Sequence, residues 1–485
     1  MTRGEDLLEW VYLISLGGVL LETRKVHNMR TSTLCRLATL LLCVSAWTLS
    51  AQDAQNSQDA SPAKPKKHNT ILVIGDGMGF GTLYAAADFA TGSPKGFPFQ
   101  KWLTLGCTTY SKSNPDGYDP EAMWKDFNYQ FKDPTDSAAS ASAFNTGVKF
   151  RNSNVNKQKN GTVVETIAET AKKAGYACGS VTTAGASHAT PAGTAGHTRS
   201  RANGHKIFHQ MLNDGALDVI IGISNPNYDA QGNKLDEPKY HQYGPDEADW
   251  KKIQSNEMGE GWVYSDDRAE LKKIIAGEVP TPKKLLFLAR AGVVYNFLKM
   301  GEFSGEQVIV PQSEEVPTLP ELTQAALKVL EQNEKGFYLQ VEESSVDGYN
   351  HNNNLEGSVN STFSLNETVK AICEWVEKNS SWDETTVIVT ADHTTGGFWG
   401  EQADQPDTLF QLPTWNGKGK LATGKYYTHS HTNAPPALYI NGEGAKIVDK
   451  YIKGTDKKLG EIWGFDGRYI DNTDIPKIEK EVMGL

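Results

Sequence analysis

The sequence predicts an α/β protein: a three-layer sandwich with a central, mostly parallel sheet, helices on both faces, and a functional site at the carboxyl ends of the strands. Two observations predict it. Short apolar runs alternate with longer helical segments along the chain, an order that is typical of parallel sheets. Acidic residues and histidines follow several of those runs, and open α/β sheets bind ligands beyond the carboxyl ends of their strands.

The predicted strands are apolar runs of five to seven residues, rich in Val, Ile and Leu. They span 71–75, about 104–110, 176–182, 336–342, 385–390 and 436–440. The predicted helices between them span about 80–90, 137–145, 162–174, 319–333 and 358–379. Residues 223–265 and 400–430 lack periodicity, and the first of these predicts an irregular excursion beside the ligand crevice.

The composition indicates a globular chain and excludes one class of function. The chain has 485 residues, of which 38% are hydrophobic and 22% charged, as in ordinary globular proteins. Its net charge of −11 comes without a basic stripe. Because a nucleic-acid surface needs clustered Lys and Arg, we expect none here.

The N-terminal residues 1–51 predict an extension and a secretory signal peptide. From Met29, the expected true start, a basic segment precedes the apolar run 37–44, which ends near small residues at 49–51. The run is too short for a confident membrane helix. We therefore expect an exported protein, periplasmic or extracellular, without a stable membrane span in its mature chain.

An alternative membrane segment lies at 7–21, but its paired glycines and acidic flank disfavour it. Residues 52–68 are polar, small and Pro-containing, which predicts a disordered tether. Residues 69–485 then form a single catalytic domain. The three cysteines of that domain are too few and too scattered for a disulfide framework.

Acidic residues mark the ends of three predicted strands. Asp76 follows the first strand within a glycine-rich turn, Glu342 ends the fourth, and Asp392 with His393 follows the fifth. Converging carboxylates and imidazoles repel one another or stay unpaired unless a cation joins them. The alternative for each acid is a simple turn or loop residue without chemistry.

The sharpest local signal is the pair Asp347 and His351. Their spacing of four places both on one face of a helical turn, and carboxylate oxygen with imidazole nitrogen suits zinc. Glu342 offers a harder oxygen that suits magnesium. His429 and His431, near the C-terminus, add two candidate histidines.

Ser137 begins a predicted helix of small residues, with Asp136 as its N-cap. A hydroxyl in the positive field of a helix N-terminus favours a phosphate above it and lowers the cost of forming an alkoxide. No Gly-x-Ser-x-Gly turn is present, so a histidine-based triad is not indicated. The alternative is a capping serine without chemistry.

His188, Thr190 and Arg201 follow the strand at 176–182. An arginine can hold two phosphate oxygens at once, which a lysine cannot do. The alternatives are a helix-capping threonine and a surface arginine.

The donors together suffice for two three-ligand metal sites about 4 Å apart, the usual device for phosphoryl transfer. Asp76, Thr190 and Glu342 remain for a third ion, with Asp76 bridging.

Six motifs, in this order, resemble those of alkaline phosphatases across nearly all of 70–455. They are Gly75-Asp76-Gly77-Met78-Gly79, Asp136-Ser137-Ala138, His188-Ala189-Thr190-Pro191-Ala192, Val341-Glu342 with Asp347 and His351, Thr390-Ala391-Asp392-His393, and His431-Thr432. The resemblance implies a secreted phosphomonoesterase with a phosphoserine intermediate, two zinc ions and one magnesium ion. It also implies small-molecule phosphate monoesters as substrates and a possible homodimer.

The resemblance assigns a role to each residue. Ser137 would carry the phosphoryl group and Arg201 would hold the phosphate. The ligands would be Asp347, His351 and His431 for the first zinc, Asp76, Asp392 and His393 for the second, and Asp76, Thr190 and Glu342 for magnesium. Arg201 is chosen over Arg199 by motif spacing, and His431 over His429 by the Thr that follows it.

Two positions depart from the family pattern. His188 stands where some members have Asp and others His; we expect it just outside the ligands, tuning the identity of the third metal. Gly348 replaces the Lys, His or Trp that is common there, which removes one water-mediated phosphate contact.

Three other functions compete with a monoesterase. A sulfatase needs x-Pro-x-Arg after its nucleophile, which Ser137 lacks. A phosphodiesterase of the same superfamily is typically built on threonine without a clamp such as Arg201. A metal-binding or phosphate-binding relative without catalysis would have less need of both the serine and the full ligand set.

Overall fold

The computed structural model describes residues 66–292 and 314–485. The predicted extension, signal peptide and start at Met29 lie outside the described residues, as does the predicted tether up to residue 65. The end of that tether is attached to the fold. The backbone N–H of His68 donates to the carbonyl of Lys335 at 3.0 Å, immediately before the first strand.

Fifteen strands occur in the described residues. They are β1 Asn69–Gly75, β2 Leu103–Thr108, β3 Ala177–Gly185, β4 Val219–Ile223, β5 Trp262–Ser265, β6 Lys284–Leu288, β7 Phe337–Glu343, β8 Thr385–Thr390, β9 Thr394–Thr395, β10 Phe398–Trp399, β11 Lys425–Tyr426, β12 His431–Thr432, β13 Ala437–Asn441, β14 Gly454–Thr455 and β15 Arg468–Asp471. Eleven of these form one sheet in the order β14-β15-β2-β13-β8-β1-β7-β3-β4-β6-β5. Only β13 and β14 run against the other nine, which confirms the predicted mostly parallel sheet.

The described α-helices pack around this sheet. They are α1 Phe80–Thr91, α2 Pro120–Lys125, α3 Ser137–Thr146, α4 Ile167–Lys173, α5 Ala189–Ala192, α6 Gly204–Asn213, α7 Glu247–Gln254, α8 Arg268–Ala276, α9 Leu319–Leu330, α10 Ser345–His351, α11 Leu355–Asn379, α12 Glu443–Ile447, α13 Lys457–Trp463 and α14 Ile475–Met483. None of them is both long enough and apolar enough to cross a bilayer.

The central strand β1 shows why helices cover both faces. All seven of its residues are buried, and alternate residues point to opposite faces. Ile71 and Val73 belong to the core that includes residues of α1, α9 and α11. Leu72 and Ile74 belong to a second core that includes residues of α3 and α14. A strand that is apolar on both faces is therefore satisfied only in the middle layer of three.

The predicted elements match the observed ones within a few residues, but the excursion at 223–265 is more regular than the sequence indicates. Residues 224–246 are irregular, as expected. They are followed by the helix α7 and by β5, which pairs in parallel with β6 at the edge of the main sheet. The sequence does not predict β5, because a run of four residues carries little periodicity. Cys107, Cys178 and Cys373 are free thiols, and the last is only half-buried.

Candidate metal centre

The register of three neighbouring strands brings three acids to one edge of the sheet. Ile74 of β1 pairs with Glu342 of β7 on one side and with Thr390 of β8 on the other. Asp76 lies two residues beyond Ile74, and Asp392 lies two residues beyond Thr390. Because all three strands run the same way, their carboxylates emerge together at the carboxyl edge.

The turn after β1 requires glycine. Gly77 has a φ of 71°, and a Cβ there would lie 2.8 Å from Asp347. Its N–H donates to Oδ1 of Asp392 at 3.1 Å. Without a side chain at this position, the backbone can pass between Asp347 and Asp392.

Asp76, Asp392 and His393 form the first donor group. Nε2 of His393 lies 3.1 Å from Oδ2 of Asp392 and 3.5 Å from Oδ1 of Asp76. All three residues are almost fully buried. One ligand atom from each lies within 4.8 Å of the others, a spacing at which a single ion can bridge them.

Asp347, His351 and His431 form the second group. Nε2 of His351 lies 3.2 Å from Asp347 and 3.1 Å from Nε2 of His431, which in turn lies 3.6 Å from Asp347. The ring of His393 stacks on that of His431 at 3.6 Å between centroids, so the two groups adjoin.

The third group surrounds Glu342. Ligand atoms of Asp76, Glu342 and His188 lie within 4.8 Å of one another. Thr190, on α5, is fully buried, and its hydroxyl has no hydrogen-bond partner among the described residues. Thr182 donates a short hydrogen bond to the other oxygen of Glu342. Asp76 thus belongs to two of the three groups.

Neighbouring groups fix the orientation of the site histidines. Nδ1 of His351 lies 2.6 Å from the carbonyl of His429, and Nδ1 of His431 lies 2.8 Å from the carbonyl of Thr135. A carbonyl accepts only from a protonated nitrogen, so in the neutral form of each ring it is Nε2, facing the cluster, that carries the lone pair. This arrangement of a fixed Nδ1 and an open Nε2 is typical of histidines that bind metal.

Buried oxygens without partners show that the donors suit cations. Among the described residues, Asp76 Oδ1, Asp392 Oδ2, Glu342 Oε1 and Thr190 Oγ1 are buried without a hydrogen bond. Burial and the neighbouring acids raise the pKa of Asp76 well above its usual range, and burial raises the pKa of Glu342 to about 7. Such a cluster of unpaired carboxylates fits divalent ions that would replace the missing partners.

The pKa values of two site histidines are shifted in opposite directions. The hydrogen bond to Asp347 raises the pKa of His351 to about 9. Burial and the adjacent His393 lower the pKa of His431 to about 4. Without a cation, protons on some of these groups must therefore balance the acids, and metal binding would release them.

Ser137 lies against the first donor group. It is the first residue of α3, where Asp136 accepts from the N–H of Ala139 at 2.9 Å. The serine is almost fully buried, and its Oγ lies 3.2 Å from Nε2 of His393. The hydroxyl thus lies both at a helix N-terminus and beside metal-ligand candidates.

Arg201 lies on the same side, held by two partners. Its Nη1 lies 3.4 Å from Asp136, and its Nη2 lies 3.0 Å from Nε2 of His188. Burial, together with the arginine, lowers the pKa of His188 to about 3, so this imidazole is neutral and accepts from Arg201. The ring of Tyr243 packs edge-on against His188 at 4.9 Å.

The structure distinguishes the members of two residue pairs, Arg201 from Arg199 and His431 from His429. Arg201 contacts Asp136, whereas the guanidinium of Arg199 lies near Gly161, away from the donor groups. His431 enters the second group through Nε2, whereas His429 supplies a carbonyl to His351. Gly348 is buried on α10 and contributes no side chain.

Sequence reasoning missed two residues of the site. Thr395 donates to Oδ1 of Asp347 at 2.5 Å and lies 3.1 Å from Nδ1 of His393, so it connects two donor groups. Tyr243 reaches His188 from the irregular segment. The first has a weak sequence signal, a Thr-Thr-Gly-Gly turn after Asp392-His393. The second has none.

Three comparisons place the chain among known proteins. A family model described as alkaline phosphatase matches residues 67–463. Alkaline phosphatase of Escherichia coli (strain K12) is 31% identical over 367 residues, which cover 69% of this chain and 72% of that protein. Alkaline phosphatase 3 of Bacillus subtilis (strain 168) is 29% identical over 339 residues, covering 68% of this chain and 62% of that protein.

A solved structure shares the fold. It is a mutant of TAB5 alkaline phosphatase, in which a histidine is replaced by glutamate and Mg is bound in the M3 site. The Antarctic bacterium TAB5 is its source. The TM-score is 0.58 at 20% identity, covering 86% of this chain and 98% of that one.

Proposed function

Because the chain belongs to the alkaline phosphatase family, a family of phosphoric monoester hydrolases, we propose that it hydrolyses phosphate monoesters through a phosphoserine at Ser137. The observation that carries this proposal is the position of the Ser137 hydroxyl, 3.2 Å from His393 and beside three overlapping groups of metal ligands. A phosphate held above a helix N-terminus would meet this hydroxyl directly.

We assign the metals by donor chemistry. Zinc would occupy two of the groups, one made of Asp347, His351 and His431 and the other of Asp76, Asp392 and His393. Magnesium would take the oxygen donors of Asp76, Thr190 and Glu342, and the Mg bound to a TAB5 variant supports a magnesium site in this fold. When bound, these cations supply Lewis-acid and electrostatic stabilisation of developing negative charge.

His188 would stay outside the ligand set. Its Nε2 accepts from Arg201 at 3.0 Å, so that nitrogen is already used. The ring nevertheless lies within ligand distance of Asp76 and Glu342. Its role would be to hold Arg201 on one side and to shape the third ion site on the other.

The protein groups then have defined tasks in two displacements. Ser137 Oγ gives its proton to water and attacks phosphorus in line; the new O–P bond forms as the ester O–P bond breaks, and the departing alkoxide takes a proton from water to leave as the alcohol. A water oxygen then attacks the same phosphorus as the Ser137 O–P bond breaks, and the proton that this water loses restores the Ser137 hydroxyl. Arg201 and the Ser137 N–H would hold the non-bridging oxygens throughout. Two in-line steps leave the configuration at phosphorus unchanged.

The test compares three aryl substrates: 4-nitrophenyl phosphate, bis(4-nitrophenyl) phosphate and 4-nitrophenyl sulfate, each with and without chelator. We expect the monoester to be preferred and chelation to abolish its hydrolysis. A preference for the diester would favour the diesterase alternative. A rate that survives metal removal would overturn the proposal.

A serine variant separates an enzyme from a binding protein. Ser137→Ala removes the nucleophile, so kcat should fall at least about a thousandfold. Phosphate binding, measured by calorimetry, should persist because the other ligands and Arg201 remain. Full activity in this variant would exclude a phosphoserine, and an inactive wild type that still binds phosphate would favour a non-catalytic relative.

Export and assembly are also part of the proposal. The basic and apolar segment from Met29 to residue 51 supports export to the periplasm or the exterior, which N-terminal sequencing of the mature protein would test. The family resemblance supports a homodimer, which light scattering on the purified protein would test. A cytosolic full-length chain, or a monomer at micromolar concentration, would contradict the respective statement.

A further inference from the structure

A basic pocket lies outside the donor groups described above. It is a cavity of about 370 Å³, and four of its lining residues are cations: Lys112, Lys149, Arg151 and Lys159. None of the described residues that line it is acidic. In a chain with a net charge of −11, this concentration of positive charge is local.

The four cations differ in how they are balanced. Lys149 is nearly buried, pairs with Asp471 at 2.8 Å, and lies over the ring of Tyr110 at 3.8 Å. The other three are exposed, and within 66–292 and 314–485 none has a carboxylate within ion-pair distance. The pocket thus has one fixed wall and three cations free to meet an external anion.

The pocket opens close to the candidate active site. Lys112 follows β2, whose carboxyl end faces the same way as those of β1 and β8. Arg151 is two residues before Ser153, whose N–H donates to Asp136 at 2.9 Å. Since consecutive Cα atoms are about 3.8 Å apart, the Cα of Arg151 lies within roughly 20 Å of Ser137.

A further arginine lies beside the basic pocket. Arg201 lies in the site, and Arg199, two residues earlier, points its guanidinium to within 3.0 Å of a Cβ position on Gly161. That glycine follows the pocket residues Lys159 and Asn160. Arg199 therefore adds a further positive charge beside the pocket residues.

We propose that the basic pocket binds the second phosphate of a bisphosphorylated substrate whose first phosphate lies at Ser137. This inference rests on the proposed function and names a substrate class for it. The two phosphates would be joined by a carbon chain or ring, and the upper limit of roughly 20 Å bounds the chain length that is needed. A solvated patch of surface charge, with no bearing on substrates, is the competing interpretation.

The experiment uses bisphosphates of ethylene glycol, hexanediol and decanediol, each beside its own monophosphate, at low ionic strength. A bisphosphate offers two equivalent groups, so kcat/KM should exceed that of the monophosphate by about twofold without any subsite. With the pocket engaged, we expect a ratio of about ten for the longer chains only, from two charge-assisted contacts near the surface. A ratio of about two at every length would overturn the proposal.

Variants identify the residues. Arg151→Gln with Lys159→Gln should return the long-chain ratio to about two. The matched control, Lys252→Gln with Lys420→Gln, removes two exposed positive charges elsewhere and should keep the wild-type ratio. Equal losses for mono- and bisphosphates in the pocket variant would indicate a general field effect and contradict the proposal.

A binding measurement separates this inference from the proposed function. Calorimetry of hexanediol bisphosphate on Ser137→Ala needs no turnover. Binding that weakens about fivefold on adding the two pocket substitutions supports the pocket even if the wild type hydrolyses no monoester. Binding that ignores those substitutions overturns the pocket even if hydrolysis is observed.

Discussion

At the scale of single residues, the site depends on side chains that hold other side chains. Arg201 is placed by Asp136 and by neutral His188, and Thr395 connects Asp347 to His393. These partners restrict orientation and do not themselves need to touch the substrate. The proposed chemistry would therefore depend on more residues than the candidate metal donors and Ser137 alone.

The planar guanidinium of Arg201 is the feature that a substitution tests most directly. Arg201→Lys keeps the charge but would lose the proposed two-pronged contact to phosphate and the hydrogen bond to His188. We expect kcat/KM for 4-nitrophenyl phosphate to fall about 10- to 100-fold. Arg199→Lys, two residues away, is the control and should change it by less than about threefold. Similar losses in both would remove the distinction drawn between the two arginines.

At the scale of elements, the N-terminus of α3 does two things. Asp136 caps the helix through Ala139 and pairs with Arg201 through its other oxygen. The residue thereby couples the stability of a helix to the position of the phosphate clamp. A sequence reading identifies the first role from an N-cap pattern and gives no sign of the second.

Two substitutions at Asp136 separate these roles. Asn caps a helix about as well as Asp but carries no charge. Asp136→Asn should leave the free energy of unfolding within about 0.5 kcal/mol of wild type, while the inhibition constant for phosphate rises several-fold. Asp136→Ala should lose about 1 kcal/mol in addition. Denaturation and phosphate inhibition measure the two effects, and an unchanged inhibition constant in both variants would rule out the coupling.

The C-terminal helix α14 contains an ionisable group with no role in the site. Glu479 is fully buried, and neither carboxyl oxygen has a hydrogen-bond partner among the described residues. Burial raises its pKa well above the usual range. The folded protein therefore keeps this carboxyl protonated at a pH where the unfolded chain has ionised it.

This group should make the fold pH-dependent. Below the unfolded pKa of about 4.5 the carboxyl is protonated in both states, so it contributes no pH dependence to the free energy of unfolding. As pH rises above that value the unfolded state gains stability by ionising, so the free energy of unfolding falls. Glu479→Gln removes the effect and should raise Tm at pH 8 more than at pH 5. Exposed Glu377→Gln is the control, and equal shifts at both pH values would contradict this account.

At the scale of the whole molecule, the centre of the sheet determines the site. β1 lies between β7 and β8, so donors from the three strands meet at one edge. α10 and the short pair β9–β12 then close over that edge with Asp347, His351 and His431. Bound cations would thus connect segments more than 300 residues apart in the sequence.

Metal removal should consequently destabilise the whole fold. Ligands that bind only the native state stabilise it by up to about 4 kcal/mol per site at a thousandfold excess over Kd. We expect chelation to lower Tm by several degrees, and zinc with magnesium to restore it. Asp392→Asn should show a smaller chelator effect, whereas exposed Asp404→Asn should respond as wild type does. An unchanged Tm on chelation would contradict a structural role for the metals.

The sequence by itself determined the layers and most of the donors. Apolar runs such as 71–74 must be buried on both faces, which specifies a parallel sheet between helices, and the acids after them must then emerge at one edge. Local spacing also identified Asp347 with His351. These features follow from short-range patterns, which the printed sequence contains in full.

Only the tertiary structure decided which distant groups meet. The contact of Arg201 with Asp136, the carbonyls that orient His351 and His431, and the approach of Tyr243 to His188 depend on loop paths between strands. The short edge strand β5 was also not predictable from the sequence, because four residues are too few to show a periodic pattern. Such contacts are selected by packing over the whole chain, so no local pattern of residues specifies them.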